Sequence, residues 1–372
     1  MSNGTRCFAL SLLAACSGAG RLPAQSLSTG SELFAGTEAR SLSFDGLPSL
    51  RRLRQFSFPF GTVAAIGRFR VDLGSAFVST ELLRVDNTLH RVNHLTDTQL
   101  RGSYVFGSDA VVATVALNLP TGPRHATARD YTVLGAVSPS FLGFPVAAYA
   151  NGFSATGGLA AAIPAGNWSI GVAGSLRVSS QFTPFEDTNG PVTYKPGVEG
   201  RIRGGLDGLV GASRVSAGLT YSTFGDDQFG NNGTLRGQYH PGPRWLIEAG
   251  LVAPIGSSSL SLSLWHFRRT AGDTTGASAR NRENLSAAEL SIGIPVTKAL
   301  VIEPSVAGRV SKPQSGRARM LGVGAGLKFA ISDRLTFSPA ARYDAGWVES
   351  DTGVRNDLHG WYGVAFLRLS IH

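Results

Sequence analysis

Charge is scarce in this chain. Asp, Glu, Lys and Arg make up 16% of its 372 residues, against about 25% in ordinary soluble domains. A soluble exterior built from so few charges is hard to hydrate. Lysine is scarcer still: of 34 basic residues only four are Lys, at Lys195, Lys298, Lys312 and Lys328. None of them follows a glycine, which excludes a phosphate-binding loop of the Gly-Lys type. The only two cysteines are Cys7 and Cys16, so a mature chain that loses its first residues has neither disulfide nor thiol chemistry. Long apolar runs are missing and the mean hydropathy is +0.05, which excludes a bundle of membrane helices. The net charge is +9, yet the arginines are scattered rather than gathered on one patch, which argues against a nucleic-acid partner.

Catalytic constellations are equally scarce. Gly152-Phe153-Ser154-Ala155-Thr156 lacks the second glycine of a nucleophile elbow. Gly322-Val323-Gly324-Ala325-Gly326 misses the dinucleotide-binding spacing. His90 and His94 are four apart in a stretch that reads as loop, with no third metal ligand nearby. A lipid-modifying barrel would need a Ser–His pair on its apolar face. His266 shares the parity of Leu260, Leu262 and Leu264, and an interfacial side chain is its simpler reading. No enzyme activity, cofactor or metal is expected.

What is present is glycine, 47 residues of it, and alternation. In GSSSLSLSLWHF, Gly256 to Phe267, Leu260, Leu262 and Leu264 fall on one parity and Ser259, Ser261 and Ser263 on the other. Period two is the mark of a β-strand, whose successive side chains point to opposite faces. The pattern recurs. Trp168, Ile170, Val172, Leu176 and Val178 alternate with Ser169, Gly171, Ala173, Ser175 and Arg177. Leu321, Val323, Leu327 and Phe329 alternate with Gly322, Gly324, Gly326 and Lys328, the small residues leaving room for a loop or a bulky neighbour.

The leucine face meets either a protein core or lipid. A secreted β-sandwich would carry a heavily charged outer face. Here the polar parity is mostly Gly, Ser and Ala with one or two charges per strand, which suits a crowded lumen. Connections also alternate in length. Short ones occur at Gly107-Ser108-Asp109, Ala165-Gly166-Asn167, Pro241-Gly242-Pro243, Pro254-Ile255-Gly256, Pro295-Val296-Thr297 and Ser332-Asp333-Arg334. Long polar ones lie around 181–193, 225–232, 270–284, 312–318 and 349–357. Segregated short turns and long loops are the habit of outer-membrane barrels. The expected fold is therefore all-β, a transmembrane antiparallel up-and-down β-barrel of about 14 strands, with twelve or sixteen also fitting because 62–84 reads as one long strand or a hairpin. Trp168, Trp245, Trp265, Trp347 and Trp361 lie near strand ends, where interfacial aromatic girdles sit. Residues 131–176 carry no charge and are broken by Pro139, Pro145 and Pro164, which reads as a partly buried loop followed by a hairpin.

The ends supply addresses. Arg6, an apolar run from Cys7 to Ala15 and small residues thereafter make a secretory signal, residues 1–25, cut near Leu22-Pro23-Ala24-Gln25. Leu13-Ala14-Ala15-Cys16 also resembles a lipobox, with Cys16 as the lipidated residue. Residues 26–53 then form a periplasmic lead or partial plug, and 54–372 the barrel. The last segment, WYGVAFLRLSIH, resembles the C-terminal signal read by the barrel-assembly machinery, although His372 stands where an aromatic residue is usual. The cell outer membrane is the expected location and its lipid a partner.

Charges on the inward parity are the functional clue. Glu199, Arg201, Arg203, Arg214, Glu248, Glu289, Glu303, Arg309 and Arg342 all fall there. At membrane depth such groups must pair or meet water, and mixed signs suit a lined or narrowed pore. The stretch from Asp97 to Gly122, two strands about a short turn and then Leu119-Pro120-Thr121-Gly122, resembles the phenol meta-degradation transporter-like family of outer-membrane proteins. That resemblance implies a channel-like barrel for small, often hydrophobic solutes. The Asn-Pro-Ala motif of the related fatty-acid channels is not found. The expected function is passive uptake of a small hydrophobic or aromatic solute; the alternative is a structural or adhesive barrel with a filled lumen.

Overall fold

The computed structural model describes residues 30–107, 110–123, 126–187, 190–274, 282–313 and 316–371. Alternating segments become strands in chain order: β1 (Ser31–Asp45), β2 (Arg52–Ile66), β3 (Phe69–Leu83), β4 (Leu89–Leu95), β5 (Thr98–Phe106), β6 (Val111–Leu119), β7 (Ser154–Ala165), β8 (Trp168–Ser179), β9 (Phe182–Asp187), β10 (Gly190–Lys195), β11 (Glu199–Val210) and β12 (Ser213–Phe224). They continue as β13 (Asp227–Asn231), β14 (Thr234–His240), β15 (Arg244–Ile255), β16 (Ser258–Arg269), β17 (Asp273–Thr274), β18 (Glu283–Pro295), β19 (Leu300–Ser311), β20 (Arg317–Ala330), β21 (Leu335–Glu349) and β22 (Arg355–Ile371). One helix, α1 (Ala128–Val137), lies between β6 and β7.

Consecutive long strands pair antiparallel, and β1 pairs with β22 from Ser31↔Ile371 to Asp45↔Asp357, which closes the sheet. β4 and β5 both lie along β3, end to end, and count as one broken strand. The barrel has 16 strands, the upper of the expected numbers rather than about 14. One open alternative and one misreading account for the difference. Residues 62–84 hold the turn of a hairpin, at Gly67 and Arg68. The supposed periplasmic lead, 26–53, contains β1 and the start of β2. Below the level where β6 ends, closure leaves no sheet edge, so backbone polar groups there are satisfied within the wall.

The apolar parity faces out. Val172 is 56%, Leu176 62% and Ile202 63% exposed, with Leu264, Leu290, Val306 and Val323 also on the outside. Such a surface has no business in water, and lipid is its solvent. An apolar groove of about 710 Å³ crosses this wall between Leu159, Val172, Ile202, Leu219 and Trp245. Short turns such as Gly166-Asn167, Gly211-Ala212 and Gly256-Ser257 gather at one end with Ser31 and Ile371, and the strand ends that lead into the long connections lie at the other. Gly166, Gly211 and Gly256 have φ near +60°, the left-handed conformation that two-residue hairpins require. Pro241-Gly242-Pro243 belongs to the long-loop end, because it joins β14 to β15. These are the marks of a barrel set in an outer membrane, with the long loops outside.

Beyond the wall, β9, β10, β13, β14 and β17 pair into a separate five-stranded sheet at the long-loop end. The wall itself is uneven. β1–β3 and β20–β22 run 14 to 17 residues, whereas β7, β8, β11, β12, β15 and β16 run 12.

Candidate functional site

The uncharged stretch forms a loop that folds into the lumen and then the β7–β8 hairpin. β6 ends at mid-height, opposite the start of β5. Above that level β4 pairs only with β3 among the described residues, and α1 packs beside it. α1 is capped by Thr127, whose hydroxyl accepts from Asp130 N–H while Asp130 accepts from Thr127 N–H. After α1 the chain turns through Ser140–Leu142 and Gly143, at φ +64°. Val133, Val137, Phe141, Leu142, Phe144 and Tyr149 then pack against inward residues of the wall: Leu42, Leu53, Val78, Leu82, Val92, Leu285, Met320 and Leu358. The interior of the outer half is thus an apolar core, where a polar water-filled lumen is usual.

Polar ties hold this plug at three places. Asp97, in the break between β4 and β5, accepts from Gly122 N–H at 3.1 Å, Asn151 N–H at 2.7 Å and Asn118 Nδ2 at 2.8 Å. One carboxylate therefore clamps both ends of the loop. Thr121 hydroxyl accepts from Thr98 N–H at 2.8 Å, so Leu119-Pro120-Thr121-Gly122 is where the chain leaves the wall. Gln55 substitutes for a strand partner: its amide donates to Val146 C=O and accepts from Val146 N–H, each at 2.8 Å. Tyr149 bonds Thr80 through their hydroxyls, and burial pushes the phenol up to about 12.

Two predictions follow from those ties. Asp97→Ala strands two backbone N–H donors, and bonds to a charged acceptor contribute roughly 1.5–3 kcal/mol each. The variant should expose a protease site between 126 and 153 in a barrel that keeps its β-content; a loop still resistant would show the clamp to be dispensable. For Tyr149 the raised value favours the neutral form in the fold. Its contribution is complete below pH 10, the ordinary value, and is lost as pH climbs toward about 12. The phenolate absorbance that distinguishes the native barrel from Tyr149→Phe should have its midpoint near 12, and a midpoint at 10 would mean that the loop is open to water.

Beneath the plug lies a cluster of charge. Arg40 Nη1 is 2.9 Å from Asp344 Oδ2, and both side chains are buried. Arg342 Nε is 2.8 Å from the other Asp344 oxygen. The Arg40 guanidinium lies 6.0 Å from the ring centroids of Phe144 in the loop and Tyr362 in the wall. Arg309 Nη1 donates to Phe141 C=O at 3.4 Å, and Glu38 is buried nearby on β1. Gly322 makes this crowding possible, since a Cβ there would sit 2.1 Å from Asp344 Oδ1 and 2.7 Å from Arg342 Cδ.

All nine charged residues singled out from sequence lie on the face opposite the exposed apolar side chains, but only Arg309 and Arg342 join this cluster. Arg203 pairs with Glu248 at 2.9 Å, Arg214 with Asp207 at 2.9 Å, and Glu303 with Lys328 at 2.6 Å. Glu199 pairs with Arg201, and Glu289 faces inward opposite Ser263 on β16. These pairs are spread around the lumen. Arg40, Glu38, Asp344 and Tyr362 were missed. Arg40 and Glu38 sat in the segment read as a lead; the signal was there in Leu33, Ala35, Thr37 and Ala39 alternating with Glu32, Glu38 and Arg40.

Other expectations need correction. Trp265 points inward and packs on the plug's core, so it is no girdle residue. The outward aromatics include Trp245, 4.4 Å from Tyr221 between ring centroids. His90 and His94 lie on strand β4 rather than a loop, and the His94 ring meets Tyr149 edge-on. No group of three metal-binding side chains occurs among the described residues. His266 Nδ1 is 2.8 Å from Ser286 Oγ on the outer wall, but its Nε2 has no hydrogen-bond partner among the described residues. Residues 1–25, including Cys16, lie outside the described residues.

No family model matches the sequence, and no curated protein matches it. Solved structures of similar shape include a deletion mutant of the TodX monoaromatic hydrocarbon channel, at 11% identity and TM-score 0.48, covering 92% of this chain and 91% of that one. The CymD monoaromatic hydrocarbon channel aligns at 10% identity and TM-score 0.44, over 92% and 89% of the two chains. OmpT, an outer-membrane protein of Vibrio cholerae, aligns at 9% identity and TM-score 0.44, over 92% and 98%.

Proposed function

We propose that the protein is a passive channel for a small apolar or aromatic solute, and that residues 126–153 are its gate. The observation that carries this reading is the apolar lumen face beneath the loop. Leu42, Leu53, Val78, Leu82, Val92, Leu285 and Leu358 point into the barrel, where a channel for polar solutes would present charge and hydroxyls. Displacing the loop would uncover a surface that an apolar solute wets better than water does. Further down, inward Phe34 and Phe366 lie over Gly61 and Gly36 and continue an apolar side of the path.

A second reading is supported by the depth of the plug. Val133 and Val137 are as buried as any soluble core residue, which suits a permanently filled structural barrel. One experiment separates the two. Gln55→Cys with Val146→Cys would tie the loop to the wall on oxidation. Uptake of a radiolabelled monoaromatic compound is measured in cells producing this variant. Uptake that stops on oxidation and returns on reduction supports the gate. Uptake no greater than in cells lacking the barrel, in either redox state, supports the filled barrel.

A further inference from the structure

The outer wall carries a charge asymmetry that the lumen does not explain. On the half nearest the short turns, β1–β3 and β20–β22 present Leu33, Phe60, Ile66, Phe69, Phe329 and Leu369 to the outside, all apolar. On the half nearest the long loops the same strands present arginines. The outward parity there holds Arg52 and Arg54 on β2, Arg317 and Arg319 on β20 and Arg355 on β22, with Arg91 on β4 beside them.

Four carboxylates stand among these six arginines, and three of them pair with an arginine. Glu81 pairs with Arg91. Glu349 lies 2.7 Å from Arg317, Asp357 3.3 Å from Arg355, and Asp45 3.5 Å from His359. Arg52, Arg54 and Arg319 are left with no acidic partner among the described residues. Arg319 rests 5.7 Å from the ring centroid of Trp347, which Arg317 and Arg355 also cover. Cross-strand register sets Arg54, Ser41, Trp361 and Tyr343 in one row, with Arg52 and His359 in the next row out. Two exposed rings therefore mark the membrane interface, with Arg54 at their level and Arg52 and Arg319 just beyond it.

Unpaired cations at that height are an anion site with an apolar wall beneath, formed by Tyr343, Trp361, Leu321 and Val323. We infer that this face binds a lipid of the outer leaflet through a phosphorylated headgroup. Its phosphates bond Arg52 and Arg54 on β2 and, four strands along the wall, Arg319 on β20, and its acyl chains lie along the apolar wall between them. Arginine suits the role because its fork matches phosphate oxygens. A free phosphate would gain nothing from the wall.

The test uses the purified full-length barrel in detergent, titrated with a diphosphorylated glycolipid and with the same glycolipid dephosphorylated. Juxtamembrane basic residues each strengthen the hold on an anionic lipid, so the phosphorylated form should bind about tenfold tighter or more. The triple variant R52S/R54S/R319S should lose that preference, R52K/R54K/R319K should keep most of it, and R334S, at the opposite end, should keep all of it. Equal binding of the two glycolipids by the native barrel would overturn the inference. So would a preference that survives in the serine variant, or displacement of the lipid by equimolar inorganic phosphate. Heat-modifiable mobility on gels establishes that each variant is folded.

Discussion

Replacing residues 126–149 with a short Gly-Ser linker should raise single-channel conductance about tenfold or more, because barrels of 16 strands leave an aqueous channel when nothing fills them. The loop's ends allow the change. Gly122 and Asn151 both bond Asp97, so a few residues suffice to join them without pulling on β6 or β7. What leaves with the loop is Val133, Val137, Phe141, Leu142, Phe144 and Tyr149, the part of the interior core that no wall strand supplies. The ion pairs Arg203–Glu248 and Glu303–Lys328 stay on the wall and do not bridge the lumen. Conductance unchanged by the deletion would place the constriction elsewhere, in the charge cluster or the outer sheet.

Asp344→Ala should be the most damaging single substitution in the wall. It leaves Arg40, whose side chain is fully buried, without its carboxylate, and it removes the partner of Arg342 as well. Breaking a buried pair by removing one member typically costs about 3–5 kcal/mol, whereas replacing both members by apolar groups of similar size is often close to neutral. Asp344→Leu combined with Arg40→Met should therefore recover most of the loss. Urea unfolding of the purified barrel in detergent reads both. A single variant as stable as the native chain, or a double variant worse than the single, would show that the pair is not the strut that joins β1 to β21 across β22. The cluster also holds the loop, through Arg309 and Phe141 and through Arg40 beneath Phe144. Asp344→Ala should consequently loosen the plug at denaturant concentrations where the wall is intact.

The strands were legible because lipid outside and a crowded lumen inside impose a strict two-residue period. Leu260, Leu262 and Leu264 against the serines of β16 state it without ambiguity, and Gly322 and Gly324 even signalled the neighbour they accommodate, Arg342. β1 was lost because its outward set, Leu33, Ala35, Thr37, Ala39 and Ser41, is small and weakly apolar. Such a strand is shielded by bulky neighbours, Trp361 and Arg54 among them, and needs little hydrophobicity of its own. The inward orientation of Trp265 had no local signal, since it shares its parity with Ser259, Ser261 and Ser263 and is explained only by a loop a hundred residues away in sequence. The site was legible in kind and not in place. Charge on the inward parity could be read from single strands, but the meeting of Arg40, Arg342 and Asp344 depends on the closure of β1 on β22, a contact between the two ends of the barrel. Asp97 belonged to the stretch whose motif drew notice, and its work as a clamp appears only when Gly122 and Asn151 are brought to it.

The central claim is that residues 126–153 close the outer half of the lumen. Val78 is fully buried on the inward face of β3, under the loop. The most direct measurement places a single cysteine there, Val78→Cys, and treats intact cells with a membrane-impermeant thiol reagent. The account predicts no labelling in the full chain and rapid labelling once residues 126–149 are replaced by the linker. Labelling in the full chain, or none in either, would contradict it.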